Sequence, residues 1–394
     1  MDLEIEVRVA GPADRAGIVA LVTDRIGAED GPEAAITLDD RRFGPGGWMV
    51  AVAGDEVVST LGLFPAVTHI GSVPVQSAVI EFVATAREFE GRGLVRRQLE
   101  LAHSISAERG DLVQWMVGIP YFYRRFGYEY AVPTPPTVDI REPIAGVALD
   151  LTFRGAEQTD IDAIVALQSH MASAASIFAE HDPILWSWLI DSPVYQVLLA
   201  ERSGEPTAMV RVYQDDDDLY LLDIAAADPA TFKAVVEHAR SPNGTTTLVL
   251  RPGLQDMAAD LGDQDSDGYA YYVRIAEPEK LLDAIRPELN RRLDEAGISF
   301  PDGELMISMY RNSLRIPIES GALGVPIPGE TVQAPVSQGG SGVPPDLIAH
   351  LILGPLGAVE LEERHADVLL GQQRDLMEAL FPPQSVDVQS WVMP

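Results

Sequence analysis

The chain has 394 residues and 46% hydrophobic content, enough for two or three cores rather than one. Its 60 acidic and 28 basic residues give a formal charge of −32, which argues against nucleic acid or an anionic membrane as partner and suits a cationic substrate. The absence of cysteine excludes disulfides, thiolate metal sites and a covalent cysteine intermediate.

Leu3 to Val9 reads as a strand and Pro12 to Ile26 as a helix, with Ile18, Leu21, Val22 and Ile26 turned inward. The acidic residues at the start are unlike a signal peptide. With no run of 18 apolar residues to span a membrane, a cytoplasmic location is expected. Trp48 to Ala53 and Glu56 to Pro65 are two strands across a Gly54-Asp55 turn. Val79 to Ala84 is a buried strand interrupted by Glu81, and Leu94 to Glu108 has helical periodicity. Between them, Gly91 and Gly93 frame Arg92. A glycine turn that opens a helix offers free N–H groups and a positive dipole end, which suits a phosphate. Leu112 to Gly118 is a further strand, followed by YFYRRFGYEYA from Tyr121.

Pro133, Pro135, Pro136 and Pro143 mark a linker. Helices are expected at 160–172, 184–190 and 230–240, and strands at 196–200, 207–213, 219–224 and 246–250. This repeats the first element order without a second glycine loop. A helix at 278–293, strands at 304–310 and 313–319, and helices at 347–353, 358–366 and 372–380 lead to a tail beginning at Phe381.

The six residues Glu90 to Val95 resemble the acetyl-CoA loop of the GNAT N-acetyltransferase superfamily, Arg/Gln-x-x-Gly-x-Gly/Ala after the fourth strand. Gly93 keeps the central glycine, while Glu90 and Val95 depart from the pattern; Arg87, Arg92, Arg96 and Arg97 are at hand to offset Glu90. Tyr123-Arg124-Arg125-Phe126-Gly127-Tyr128 is similar to the Y-x-R-F-G-Y/F element that closes many such domains. The whole chain resembles the enhanced intracellular survival (Eis) type. That resemblance implies an α/β (α+β) architecture: a GNAT domain at 1–140, a degenerate second copy at 141–276, and a sterol-carrier-like α+β domain at 277–394.

The resemblance further implies acetyl transfer from acetyl-CoA, without a metal, to a primary amine on an aminoglycoside-like cation. Polyamines and lysine side chains remain open, and a hexamer is expected. Val83, Ala84, Thr85, Gly91, Arg92, Gly93, Leu94, Val95 and Arg96 would line the cofactor, with Gly118 and Ile119 beside them. Tyr123 matches the general acid. The matching general base is the α-carboxylate of Pro394, with Glu81 as the alternative. Two rival readings stand: a non-catalytic binding protein whose coenzyme A loop has decayed, and an acyltransferase using a longer acyl-CoA. Asp263, Asp265, Asp267 and Gly268 mimic half of a calcium loop, but its twelfth position is Arg274 instead of a bidentate glutamate, so a polar turn is expected.

Overall fold

The structure is a computed structural model that describes residues 4–145, 147, 150–179, 183–266, 268–297 and 300–388. Pro394, the expected base, and Asp267 of the aspartate run lie outside the described residues.

The first unit runs β1 (Ile5–Val9), α1 (Arg15–Arg25), α2 (Asp30–Asp39), β2 (Trp48–Ala53), β3 (Glu56–Ile70), β4 (Val73–Thr85), α3 (Leu94–Arg109), β5 (Val113–Met116) and β6 (Glu129–Pro133). No element is expected between Ile26 and Trp48, yet α2 forms there. Pro32 falls in its first turn, where a missing N–H costs nothing, and Ala34, Thr37 and Leu38 are buried. The β3–β4 hairpin is longer than the periodicity implies and turns at Gly71 (φ 57).

The second unit contains β7 (Thr137–Ile140), β8 (Thr152–Gly155), α4 (Ile161–Ala172), β9 (Ile177–Ala179), α5 (Pro183–Asp191), β10 (Tyr195–Arg202), β11 (Glu205–Asp215), β12 (Asp218–Ala226), α6 (Pro229–His238), β13 (Thr246–Val249) and β14 (Gln264–Asp265). Seven of its strands form a sheet in the order β14-β7-β13-β12-β11-β10-β8. The chain then returns to the first unit. β15 (Ala270–Arg274) inserts between β5 and β6, antiparallel to both, so the first sheet runs β1-β2-β3-β4-β5-β15-β6. The strands therefore cross the boundaries expected at 140 and 276: β7 belongs to the second sheet and β15 to the first.

The third unit comprises α7 (Pro278–Ala284), α8 (Arg286–Ala296), β16 (Gly303–Ser308), β17 (Ser313–Glu319), β18 (Ala322–Leu323), β19 (Ile327–Gly329), β20 (Ser341–Gly342), α9 (Ile348–Leu353), α10 (Gly357–Arg364) and α11 (Arg374–Leu380), and ends with β21 (Val386–Asp387). Two helices stand where one is expected at 278–293, because Pro287 cannot continue α7 and instead starts α8. β21 leaves its own unit and pairs in parallel with β9, which pairs with the far end of β3. A buried ion chain fixes this crossing. Arg251 donates to the Asp387 carboxylate at 2.9 and 3.0 Å and is paired with Asp223, which also accepts from Arg211 at 2.6 Å.

Both faces of the first sheet are covered. On one side Leu99 and Ala102 of α3 pack with Leu61, Leu63, Ile80 and Met116. On the other, Trp48 stacks on Phe82 at 5.3 Å and meets Phe64 edge-on, in a core continuous with Leu305, Leu351 and Phe381 of the third unit.

Candidate active site

β4 is irregular where it matters. Gly62 pairs with Glu81 and Thr60 with Ala84, so Phe82 and Val83 together face Leu61 alone. This is a β-bulge, which bends a strand and re-aims its side chains. Phe82 adopts φ 52 there, an uncommon backbone for a bulky residue. Stacking of its buried ring on Trp48 holds it in place. On its other edge β4 pairs with β5 only at Ser77–Val79. Past that point the two parallel strands no longer pair. A cavity of about 540 Å³ opens beside the end of β4, against the start of α3.

The cavity gathers nine of the eleven residues expected to line a cofactor: Val83, Ala84, Thr85, Gly91, Gly93, Leu94, Val95, Arg96 and Ile119. Arg92 and Gly118 are not among its walls. The exposed Arg92 lays its guanidinium over the Phe89 ring at 4.9 Å. Gly118 backs onto Tyr123, whose ring a Cβ at position 118 would overlap. Gly91 (φ 73) and Gly93 (φ 74) hold left-handed backbone, and a Cβ on either would meet nothing within 4 Å. The main chain is thus bare on the ligand side. α3 has no side-chain N-cap, and its first intrahelical bond is Arg97 N–H to the Gly93 carbonyl at 3.2 Å. The preceding N–H groups of a 16-residue helix are left for a ligand, at the positive end of its dipole. These features fit a coenzyme A pyrophosphate.

Glu90 would repel that group, but it is paired. Arg25 of α1 donates to Glu90 Oε1 at 2.8 Å and to the Thr85 carbonyl at 3.0 Å. The offsetting cation is therefore Arg25, 65 residues away in sequence, rather than the nearby arginines. Arg96 lies over the Phe126 ring at 5.3 Å, and Arg97 caps the Ile5 carbonyl at 3.3 Å.

Tyr123 sits in the short 3-10 helix Phe122–Phe126 and is 5% exposed. Burial pushes its hydroxyl above the ordinary phenol value, with Glu81 and Tyr269 adding to the effect, so it stays protonated at neutral pH. Behind it, Tyr128 donates to Gln114 and meets His103 Nε2 at 3.0 Å. Burial, and then the charge of Arg274, brings His103 down to about 4, leaving it neutral.

Around Glu81, the expected alternative base, stand residues that were not legible in the sequence, because α2 was not. Burial raises Glu81 well above the ordinary carboxylate range, and the charges of Glu33 and Asp30 on α2 raise it further. Burial likewise brings Glu33 up to about 7, against the Tyr195 hydroxyl and the charge of Arg211. Glu33 and Glu81 each keep a buried Oε1 with no hydrogen-bond partner among the described residues. The spacing of Asp30 and Glu33, three apart, is the signal that would have placed them on one face of a helix. Residues of β4, α2, β10 and β11 thus meet here: Glu81, Asp30 and Glu33, with Tyr195 and Arg211 beside Glu33. No group of three or more His, Asp or Glu side chains among the described residues is placed to hold a metal ion.

Residues 6–131 match the family model of the acetyltransferase (GNAT) domain, so this third of the chain is a GNAT domain. No curated protein matches the sequence. Among solved structures, the chain is similar to a GCN5-related N-acetyltransferase from Anabaena variabilis, at 14% identity and a TM-score of 0.73, covering 98% of this chain and 99% of that one. A GCN5-related N-acetyltransferase from Kribbella flavida gives 17% identity, a TM-score of 0.67 and coverage of 98% and 97%. Eis1 from Mycobacterium abscessus gives 15% identity, a TM-score of 0.63 and coverage of 98% and 99%. At these identities the likeness is one of fold, and it extends over all three units. No helix among the described residues is long and apolar enough to cross a membrane.

Proposed function

We propose that the protein transfers an acetyl group directly from acetyl-CoA to a primary amine of a cationic, aminoglycoside-like small molecule. The observation that carries this reading is the cavity between β4 and the bare N-terminus of α3, whose wall includes Phe122, the chain neighbour of the buried Tyr123. The free N–H groups of α3 would hold the pyrophosphate, and the re-aimed Val83 to Thr85 backbone the pantetheine arm. Tyr123 gives its proton to the departing coenzyme A sulfur as the amine nitrogen bonds to the acetyl carbon. The ammonium must first lose a proton. Glu81 is suited to take it as the carboxylate: the arriving cation favours loss of its own proton to solvent, and burial then gives the carboxylate a high affinity for the ammonium proton. Glu33 would hold a further positive group of the acceptor.

The α-carboxylate of Pro394 is the alternative base of the Eis-type reading, which draws on the likeness to Eis1. The direction of the last described strand accords with it. β9 runs antiparallel to β3, so β21, parallel to β9, heads from the level of His69 toward Gly62, the partner of Glu81. A hexamer and a sterol-carrier-like third unit belong to the same reading.

The test is thiol release from acetyl-CoA with a panel of aminoglycosides and polyamines, using the wild type, Tyr123→Phe, Glu81→Gln and a form with one residue appended after Pro394. Turnover that falls about a hundredfold in Tyr123→Phe is expected. Whichever of the other two variants loses turnover identifies the base. Wild-type turnover in Tyr123→Phe would overturn the assignment of the acid, and no turnover with any amine would overturn the reading.

A further inference from the structure

The loop that joins β5 to the Tyr123 helix is held from an unexpected direction. It runs Gly118-Ile119-Pro120-Tyr121, and Ile119 is one wall of the cavity. Tyr121 is 69% exposed and adopts φ 67, a left-handed backbone that a tyrosine rarely takes without support. Its ring meets the Arg124 guanidinium at 5.8 Å, but the turn's backbone is held from elsewhere. The support comes from two other tyrosines. The Tyr121 N–H donates to the Tyr130 hydroxyl at 2.9 Å. The Tyr130 and Tyr272 hydroxyl oxygens are 2.7 Å apart, and Tyr272 reaches the Ile119 carbonyl at 3.2 Å. Each phenol has one proton. The Tyr272 hydroxyl is the donor, its one proton shared between the Tyr130 hydroxyl oxygen and the Ile119 carbonyl. The circuit thus begins and ends on the same loop, spanning its strained turn.

The two rings are themselves fixed. Tyr272 is fully buried, stacks on Tyr130 at 4.0 Å, and meets the Tyr123 ring edge-on at 5.5 Å. Tyr272 belongs to β15, the strand that returns from the second unit to lie between β5 and β6. One residue therefore touches the cavity wall through its hydroxyl and Tyr123 through its ring.

We propose that Tyr272, with Tyr130, is a positioning residue for the acetyl-transfer reaction. The phenol circuit clamps the Ile119–Tyr121 turn and thereby sets where Tyr123 presents its hydroxyl. Insertion of β15 gives the second unit, which has no glycine loop of its own, a part in the chemistry of the first. The inference rests on the assignment of Tyr123 as the acid, and its test separates the two.

Tyr272→Phe keeps the ring stack and removes the hydroxyl. Two readouts follow on the full chain: amide exchange with saturating acetyl-CoA, and steady-state kinetics with acetyl-CoA varied. In amide exchange followed by mass spectrometry, Tyr272→Phe and Tyr130→Phe are expected to speed exchange of the segment 119–126 by about tenfold while α3 is unchanged. Unchanged exchange in that segment would overturn the clamp. In thiol release with kanamycin as acceptor, kcat is expected to fall about tenfold in Tyr272→Phe with KM for acetyl-CoA within about twofold. The same substitution made on Tyr123→Phe should then cost nothing further, since the group being positioned is gone. A tenfold cost that persists in that background would show a merely structural role and overturn the proposal while leaving Tyr123 as the acid. If Tyr123→Phe alone retains wild-type kcat, the assignment of the acid fails, whatever the exchange data show.

Discussion

Replacing Glu33 with glutamine should make the protein more stable, and only above a certain pH. Glu33 has an ordinary value of 4.5 and is brought up to about 7 by burial. The native state therefore prefers the neutral carboxylic acid. Below about pH 4.5 the group is protonated whether folded or unfolded, and its full contribution is present. As pH rises toward 7 the unfolded chain ionises first, and that contribution is lost. The difference between 4.5 and 7 corresponds to about 3 kcal/mol. Glu33→Gln stays neutral and can still accept from Tyr195. Urea unfolding of both proteins at about pH 4.5 and about pH 8 is the assay. The variant is expected to match the wild type at the lower pH and to exceed it by up to about 3 kcal/mol at the higher. A glutamine variant that is less stable than wild type at both pH values would mean that Glu33 is ionised in the native state and paired with Arg211, refuting the argument from burial. The same variant should bind a cationic acceptor less tightly, the stability–function opposition expected of a built binding site.

Three further predictions concern the cavity and the tail. Arg25→Ala leaves Glu90 uncompensated and should weaken acetyl-CoA binding about tenfold at low salt and less at high salt, with Glu90→Gln restoring it; calorimetry at two ionic strengths checks this. Gly118→Ala places a methyl against the Tyr123 ring and should lower kcat far more than it raises KM, as steady-state kinetics would read. Asp387→Ala removes one end of a buried ion chain and leaves Arg251 underpaired, costing about 3 kcal/mol or more in denaturant unfolding.

The cofactor side of the site was legible in the sequence because it is local. Val83 to Thr85, the glycine pair and the first turn of α3 lie within fourteen residues, and backbone conformation alone makes them a cradle. Tyr123 was legible through its motif. What could not be read depends on distant pairings. Arg25 meets Glu90 across 65 positions. Tyr272 meets Ile119 across 153, because β15 lies between β5 and β6, which precede it by well over a hundred residues. Asp30 and Glu33 were hidden for a different reason: no element was expected between Ile26 and Trp48, and without α2 their side chains have no direction. The break between α7 and α8, by contrast, was written in the sequence as Pro287.

The central claim is that the β4–α3 cavity binds acetyl-CoA despite Glu90. Calorimetric titration of acetyl-CoA into the protein, beside Gly93→Val, tests it most directly. The account predicts micromolar binding to the wild type and a loss of at least about tenfold in the variant, whose side chain at φ 74 would cover the exposed main chain. No binding to the wild type up to millimolar acetyl-CoA, or equal binding by both proteins, would contradict it.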